Sequence, residues 1–192
     1  MVDQKSKKNI KKSFYTVEAP ITASKIQLYS TSAEDLNNKT VKIDLTKSLR
    51  GKSLVLKLRI KESEGKLSGV PESLELLSSY IRRVMRRGTD YVEDSFETEC
   101  QNSRVKIKPF IITRRKVSRT VLRLLRETAR KNIEAYAKTR AVEEIISDII
   151  TNKLSKQIVP KLKKVYPIAL FEIRVFDVVK PIEKYQEKSS EK

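Results

Sequence analysis

The cationic side chains of residues 104–140 offer the most recognisable chemistry in this chain. The stretch holds 13 Lys or Arg and two Glu, a net charge of +11 out of +18 for the whole sequence. Arg119, Arg123, Arg126 and Arg130 recur at spacings of 4, 3 and 4, so they form one stripe if the segment is helical. Guanidinium groups bind phosphate bidentately and keep their charge. The pattern predicts a polyanion-binding helix, and the alternative is a solvated charged face.

The same segment carries an apolar stripe that would position the arginines. It follows a helical period from Ser118 onward and lies roughly 80° round the helix from the arginine stripe. Its members are Leu122, Leu125, Ala129, Ile133 and Tyr136. One face of this helix is therefore expected to pack on the protein while the adjacent face meets solvent or a ligand.

A basic triplet, Arg114-Arg115-Lys116, links this helix to a predicted strand over residues 104–112. Lys131 adds a further cation on the helix. The basic stretch contains few aromatic residues, Phe110 and Tyr136 among them, and single-strand binders stack bases on aromatics. The expected mode is recognition of folded RNA by its backbone and shape.

Two other basic groups lie outside this stretch. The first 13 residues form a predicted flexible arm that orders along phosphates or merely aids solubility; its lysines are Lys5, Lys7, Lys8, Lys11 and Lys12. A helix is predicted from Pro71 to Gly88, where Arg82 and Arg86 fall in the last turns. These two arginines either contact nucleic acid or complement the helix dipole.

Composition argues against most enzyme classes. The chain has no His, one Cys and four Gly. It therefore lacks the commonest general base, a disulfide framework and a glycine-rich phosphate loop. A weak alternative is a Mg²⁺-dependent nuclease built on the acidic cluster Asp90, Glu93, Asp94, Glu97 and Glu99. We expect no catalysis, no metal and no cofactor.

A membrane-surface role for the basic helix is a further alternative. Against it, the apolar stripe is narrow and the protein needs it for its own core. No apolar run reaches the roughly 18 residues that span a bilayer. We expect a cytoplasmic protein without a membrane or small-molecule partner.

The remaining patterns predict an α+β domain over residues 14–180, between the arm and a charged tail at 181–192. Strands are predicted at 25–29, 41–45, 54–60 and 168–179, and helices at 142–150 and 155–165. The last helix is expected either to kink at Pro160 or to begin near Val159. Gly65 and Gly69 predict a turn.

A hairpin is predicted from Thr89–Cys100 and Arg104–Ile112, joined at Gln101-Asn102. Its register sets Glu99 opposite Arg104, Glu97 opposite Lys106 and Phe96 opposite Ile107.

Four segments together resemble the archaeal and eukaryotic small-subunit ribosomal protein family S-three-Ae, in an archaeal-like form. They are the lysine-rich arm running into FYTVEAP, then VKIDLTKSLRGKSLVLKLRI, SRVKIKPFIITRRKVSR and KVYPIALFEIRVFDVVKP. The resemblance implies a barrel-like, mostly antiparallel sheet flanked by about four helices. It also implies that Arg114, Arg115, Lys116 and the arm lysines face RNA.

The functional implications of the resemblance are those of a structural constituent of the ribosome. It implies a protein that binds folded small-subunit rRNA on the platform near the mRNA exit, beside neighbouring small-subunit proteins. Messenger RNA near the exit is a further candidate partner. The alternative left open by the residues is a basic RNA-binding protein outside the ribosome.

Overall fold

The computed structural model describes residues 12–49, 51–63 and 66–181, which form a mixed α/β structure. The strands are β1 (Ser13–Ala19), β2 (Ser24–Ser30), β3 (Thr40–Asp44), β4 (Leu54–Ser63), β5 (Lys66–Leu76), β6 (Tyr91–Glu93), β7 (Phe96–Glu99), β8 (Ser103–Thr113) and β9 (Ile168–Pro181). The helices are α1 (Ser78–Val84), α2 (Arg119–Lys138), α3 (Val142–Ile150) and α4 (Lys153–Lys163), with a 3-10 turn at Glu34–Leu36. The expected combination of a large sheet with four helices is confirmed within the described residues.

The chain packs as two compact units. Of the described residues, the first unit takes those within 12–41 and 58–70, and the second takes those within 42–57 and 71–181. Strands β3, β4 and β5 each contribute residues to both. The boundaries proposed from the sequence, at residues 14 and 180, stay a prediction.

In the first unit, β1 pairs antiparallel with β2 and parallel with β5. Side chains alternate along β1, so that Val17 and Ala19 are buried while Phe14, Thr16 and Glu18 are exposed. The core of this unit is formed by Val17, Leu36, Ile60 and Leu67, with Tyr15, Leu28 and Val41 packed against them. The predicted strand at 25–29 is confirmed as β2.

The second unit is built on the long antiparallel ladder between β8 and β9. Strands β6 and β7 pair with β8, and the end of β5 pairs with β9. Helix α2 packs on β6 and β7, while α4 packs on α2, α3 and β9. Leu125, Ala129, Ile133 and Ala137 are the buried residues of α2, so its predicted length and apolar stripe are confirmed in substance. Leu122 and Tyr136, at the margins of the stripe, are half-buried.

The predicted hairpin at residues 89–112 has the expected register. Glu99 lies opposite Arg104, Glu97 opposite Lys106 and Phe96 opposite Ile107. Its first strand is divided into β6 and β7 at Asp94 and Ser95, where the Asp94 carboxylate accepts a hydrogen bond from the Ser95 N–H at 2.9 Å. The strands predicted at 41–45 and 54–60 are confirmed as β3 and β4, which pair with each other, and the Leu45 N–H is bonded to the Leu54 carbonyl oxygen at 2.9 Å.

The helix predicted to begin at Pro71 is wrong. Residues 66–76 form strand β5, and α1 begins only at Ser78. Leu74 and Leu76 are buried with Glu75 exposed between them, and Leu74 lies opposite Phe176 of β9. Acidic residues after a proline are typical of a helix start. Here the alternation of buried and exposed side chains instead allows the segment to pair as a strand with β9, about 100 residues away in sequence.

The turn predicted at Gly69 is also wrong, because this glycine lies inside β5. A Cβ atom there would lie 2.9 Å from Leu58 Cδ1, so glycine permits a close approach of side chain to backbone. Gly65 lies outside the described residues.

Helix α3 is confirmed over Val142–Ile150, and β9 is confirmed from Ile168 onward. Helix α4 begins at Lys153 rather than near Val159, and it continues through Pro160. Leu154, Ile158 and Leu162 are buried along one face of it. Tertiary burial of that face offsets the loss of one backbone hydrogen bond at the proline.

The barrel implied by the family resemblance is wrong. The order β2-β1-β5-β9-β8-β6 has two open ends among the described strands. Closure requires the end strands to pair with each other. Strand β6 spans only Tyr91–Glu93, and its pairing is with β8. The basic arm, apart from Lys12 and Ser13, lies outside the described residues.

Candidate nucleic-acid interface

The basic triplet Arg114-Arg115-Lys116 lies in the short loop between β8 and α2, and all three residues are exposed. This loop is held from beneath by Thr113, which is fully buried. The Thr113 hydroxyl lies 2.8 Å from the Arg115 carbonyl oxygen and 2.9 Å from the Asp90 carbonyl oxygen. It also accepts a hydrogen bond from the Asp90 N–H at 3.1 Å. A buried hydroxyl thus ties the loop backbone to the start of the neighbouring strand.

Asp90 makes a second anchor for the same loop. Its Oδ2 accepts a hydrogen bond from the Val117 N–H at 2.8 Å. On the other side of the triplet, the Arg114 N–H is bonded to the Pro167 carbonyl oxygen at 3.3 Å. The backbone of the loop is held at both ends, so the cationic side chains project from a fixed base. Binding of an anion would therefore cost less conformational entropy of the loop.

Helix α2 begins directly after this loop, with Ser118 at its N-cap and Arg119 in its first turn. The first turn contains no acidic residue, and the N-cap side chain makes no capping hydrogen bond. A basic residue at a helix N-terminus is unfavourable for the folded protein alone, because it meets the positive end of the dipole. A bound phosphate would be favoured by both the side chain and the dipole.

The remaining cations on α2 are exposed, and two are paired within the helix. Arg123 Nε is 3.1 Å from Glu127 Oε1, and Arg130 Nε is 2.8 Å from Glu134 Oε1. The hydrogen bond to Glu134 raises the pKa of Arg130, whose guanidinium also lies 5.3 Å from the centre of the Phe96 ring. The i,i+4 spacing of these pairs could have been found in the sequence.

Such exposed pairs contribute little to stability, so a phosphate can compete for the arginines. The predicted stripe is therefore accessible, with two of its four arginines already partnered.

Arg126 has a different environment from the rest of the stripe. It lines a cleft of about 640 Å³ whose wall also carries the acidic residues Glu75, Glu93 and Asp94 and the cations Lys108 and Arg174. Arg174 Nη1 is 2.7 Å from Glu93 Oε1. The mixed charges make the surroundings of Arg126 less favourable for an anion than those of the exposed triplet. Lys131, in contrast, is exposed.

The other predicted cations lie on other elements. Arg82 is exposed in the last turn of α1, and Arg86 is exposed beyond its end. Lys12 Nζ lies 5.8 Å from the centre of the Tyr29 ring, in the first unit. Lys5, Lys7, Lys8 and Lys11 lie outside the described residues.

The acidic residues proposed for a nuclease do not assemble. Asp90 holds the basic loop, Glu93 is paired with Arg174, and Glu99 Oε1 is 3.8 Å from Arg104 Nη2. Over the described ranges, no three Asp, Glu or Cys side chains come together as a possible metal site. None of the helices in those ranges is long and apolar enough to cross a membrane.

Two buried ionic networks were missed by the sequence patterns. Lys52 and Glu172, whose side chains are each 9% exposed, form an ion pair, and Lys52 Nζ also donates to Asn152 Oδ1 at 3.0 Å. Burial raises the pKa of Glu172 despite the neighbouring lysine. These residues lie on three separate elements, so no local spacing signals the pair.

The second network surrounds the buried carboxylate of Asp148 on α3. Arg140 and the Tyr136 hydroxyl both donate to its Oδ2, the latter at 2.7 Å. Burial and the nearby carboxylate raise the pKa of Tyr136 to about 12. Arg140, just after the end of α2, is therefore a structural cation bonded to α3, whereas the exposed arginines of α2 are not bonded to α3.

Comparison with known proteins gives a consistent assignment. A model of the Ribosomal S3Ae family matches residues 2–181. Small ribosomal subunit protein eS1 of Nanoarchaeum equitans is 25% identical over 183 residues, covering 91% of this chain and 92% of that protein. The protein of the same name from Haloarcula marismortui is 27% identical over 178 residues, covering 88% and 83%. That from Saccharolobus islandicus is 25% identical over 177 residues, covering 88% and 85%. The match extends over nearly the whole chain, which belongs to the Ribosomal S3Ae family.

Proposed function

We propose that this protein is a structural component of the small ribosomal subunit and binds folded rRNA through its backbone phosphates. The relatives are named small ribosomal subunit proteins, which supports the proposal that this protein is part of the small subunit. The net charge of +18 supports a polyanionic partner. Its expected neighbours are other small-subunit proteins, its place is the platform near the mRNA exit, and its compartment is the cytoplasm. The proposed role involves no catalysis.

The observation that carries the RNA-binding proposal is the anchored basic loop. Arg114, Arg115 and Lys116 are exposed, while Thr113 and Asp90 fix the backbone that bears them. Their positive charge runs directly into the N-terminus of α2 and Arg119. This arrangement suits phosphate groups on neighbouring nucleotides, since guanidinium forks and helix N–H groups both favour anions.

The triple variant Arg114→Ala/Arg115→Ala/Lys116→Ala tests the loop directly. We expect it to reduce the slope of log binding constant against log salt by about three units on folded small-subunit rRNA, close to one per lost phosphate contact. A filter-binding titration at several salt concentrations measures this slope. In cells, the tagged variant should shift from the small-subunit peak of a sucrose gradient to the top.

The matched control keeps the charge but removes the guanidinium forks, through Arg114→Lys/Arg115→Lys. This variant should retain the salt slope and lose part of the affinity, because lysine does not bind phosphate bidentately. An alanine triple variant with unchanged slope and unchanged sedimentation would contradict the proposed role of the loop.

The lysine-rich arm is proposed to add phosphate contacts without stabilising the fold. Deleting residues 1–11 removes lysines at four positions and little apolar surface, so the thermal midpoint should change by less than about 1 °C. Incorporation into the small subunit should nevertheless fall in a competition with the protein that retains residues 1–11. A fall of several degrees in the midpoint would show that the arm packs on the folded protein instead.

A further inference from the structure

Two aromatic rings lie side by side on the solvent face of the first unit. Phe14 on β1 and Tyr29 on β2 are cross-strand partners, with ring centroids 5.0 Å apart and planes tilted by 44°. Their exposed fractions are 71% and 60%, the two highest among the large apolar side chains exposed in the described residues. Single exposed apolar residues are ordinary, but two adjacent aromatic side chains form a contiguous exposed apolar patch.

The strand geometry places polar groups next to this patch. Two residues along each strand, on the same face, Thr16 and Gln27 are both exposed and lie opposite each other. Lys12 Nζ lies 5.8 Å from the Tyr29 ring centre. A hydroxyl, an amide and an ammonium group therefore border two ring faces. Residues two apart on a strand are about 6.6 Å apart, which is within reach of one nucleotide.

The opposite face of the same hairpin accounts for folding without these rings. Val17 is fully buried there, and Tyr15 and Leu28 pack against the core of the unit. As an exposed cross-strand pair, Phe14 and Tyr29 contribute little to the stability of the hairpin. The two exposed rings therefore add little to the stability of the fold. Exposed ring faces are, however, what a surface needs in order to stack on bases.

We propose that Phe14 and Tyr29 form a stacking platform for unpaired RNA bases. Aromatic residues on a sheet face are a common means of binding single-stranded RNA, in which hydrogen-bonding side chains read base edges and cations hold phosphates. The proposal rests on the proposed RNA-binding function. It adds a site for unpaired RNA on β1 and β2 to the proposed phosphate contacts of α2. It also adds base stacking to the backbone and shape recognition that the sequence led us to expect.

The absence of tryptophan from this sequence allows a direct optical test. Phe14→Trp keeps an aromatic face and introduces the only indole in this sequence. Titration with a ten-nucleotide oligouridylate should quench its emission, because a base stacks on the ring. A blunt RNA duplex of similar length should cause little quenching, since its bases are already stacked.

Affinity for the same oligonucleotide, measured by anisotropy of a fluorescent label, tests the second ring. Tyr29→Ala should weaken binding by about 5- to 150-fold, from the stacking contribution of one base. Tyr29→Leu should also weaken it by about fivefold or more, because leucine keeps apolar bulk but has no π face. Tyr29→Phe should bind as the original protein does. Tyr91→Ala, which removes an exposed aromatic from the second unit, is the matched control and should change little.

Several outcomes would overturn the platform. They are no quenching of the introduced tryptophan, full binding by Tyr29→Leu, or equal losses for Tyr29→Ala and Tyr91→Ala. Blue-shifted emission without RNA that depends on protein concentration would instead assign the patch to a second copy of this chain. Emission that shifts to the red on deleting residues 1–11 would assign it to the N-terminal segment.

These experiments test the proposed platform and the proposed RNA-binding surface of α2 separately. If Tyr29→Ala leaves oligouridylate binding intact while the alanine triple variant of the loop weakens folded rRNA, only the platform is wrong. If the unmodified protein binds neither RNA, the proposed function is wrong as well.

Discussion

Replacing Lys52 with methionine is expected to lower the free energy of unfolding by about 3–5 kcal/mol, because it leaves a buried carboxylate without its partner. Lys52 is bonded to Glu172 on β9 and to Asn152 at the start of α4. Chemical denaturation monitored by circular dichroism measures the loss. An exposed lysine nearby, Lys47, is the matched control, and Lys47→Met should change the stability by no more than about 0.5 kcal/mol.

The loss caused by Lys52→Met should depend on pH. Burial already raises the pKa of Glu172, and removing the positive charge removes the opposing effect of Lys52. An acid whose folded pKa is raised binds its proton more tightly when folded, so stability is lost as pH rises from its unfolded pKa through its folded pKa. The variant should therefore be closer to the original protein at about pH 5 than at about pH 8.

The double variant Lys52→Met/Glu172→Leu should recover much of this loss, because neither charge remains buried. If Lys52→Met is as stable as the original protein at about pH 8, the Glu172 carboxylate is solvated and its pair with Lys52 does not stabilise the fold. If the double variant is no better than the single one, the loss comes from packing rather than from the unpaired charge.

The second large effect separates the two faces of α2. Leu125→Ala should lower the free energy of unfolding by about 2–5 kcal/mol, because Leu125 is fully buried and the truncation leaves a cavity. Its neighbour Leu124 is 47% exposed, so Leu124→Ala is a control of identical chemistry with an expected loss below about 1 kcal/mol. Thermal and denaturant unfolding compare the two variants directly.

Arg123→Ala should act on binding and not on folding. Its side chain is 80% exposed, and its pair with Glu127 contributes about 0.3–0.5 kcal/mol at most. The variant should nevertheless lower the salt slope of rRNA binding by about one unit, whereas Arg123→Lys should retain the slope and recover part of the affinity. An Arg123→Ala variant that unfolds like Leu125→Ala while binding RNA normally would reverse the assignment of the two faces.

Local periodicity was sufficient wherever one segment determines its own structure. Helix α2 follows from an apolar stripe at helical spacing, and the hairpin of β7 with β8 follows from alternation plus matched charges across a short turn. The exposed arginines of α2 were predicted for the same reason, because a helix period separates them from the buried stripe. These features depend on neighbours within a few residues, which a sequence displays directly.

The tertiary structure decided what depends on partners far along the chain. Residues 71–76 have a helix-like start but form a strand because Leu74 meets Phe176 across the sheet. In the alternation along β9, Glu172 has the pattern of a solvent-facing residue, yet it is buried because Lys52, itself bonded to Asn152, comes from a distant segment to pair with it. Phe14 and Tyr29 become one surface only when β1 and β2 pair. Long-range pairing is not encoded in any local period, which is why the sequence alone determined the basic face of α2 while the fold decided the buried ion pair and the aromatic patch.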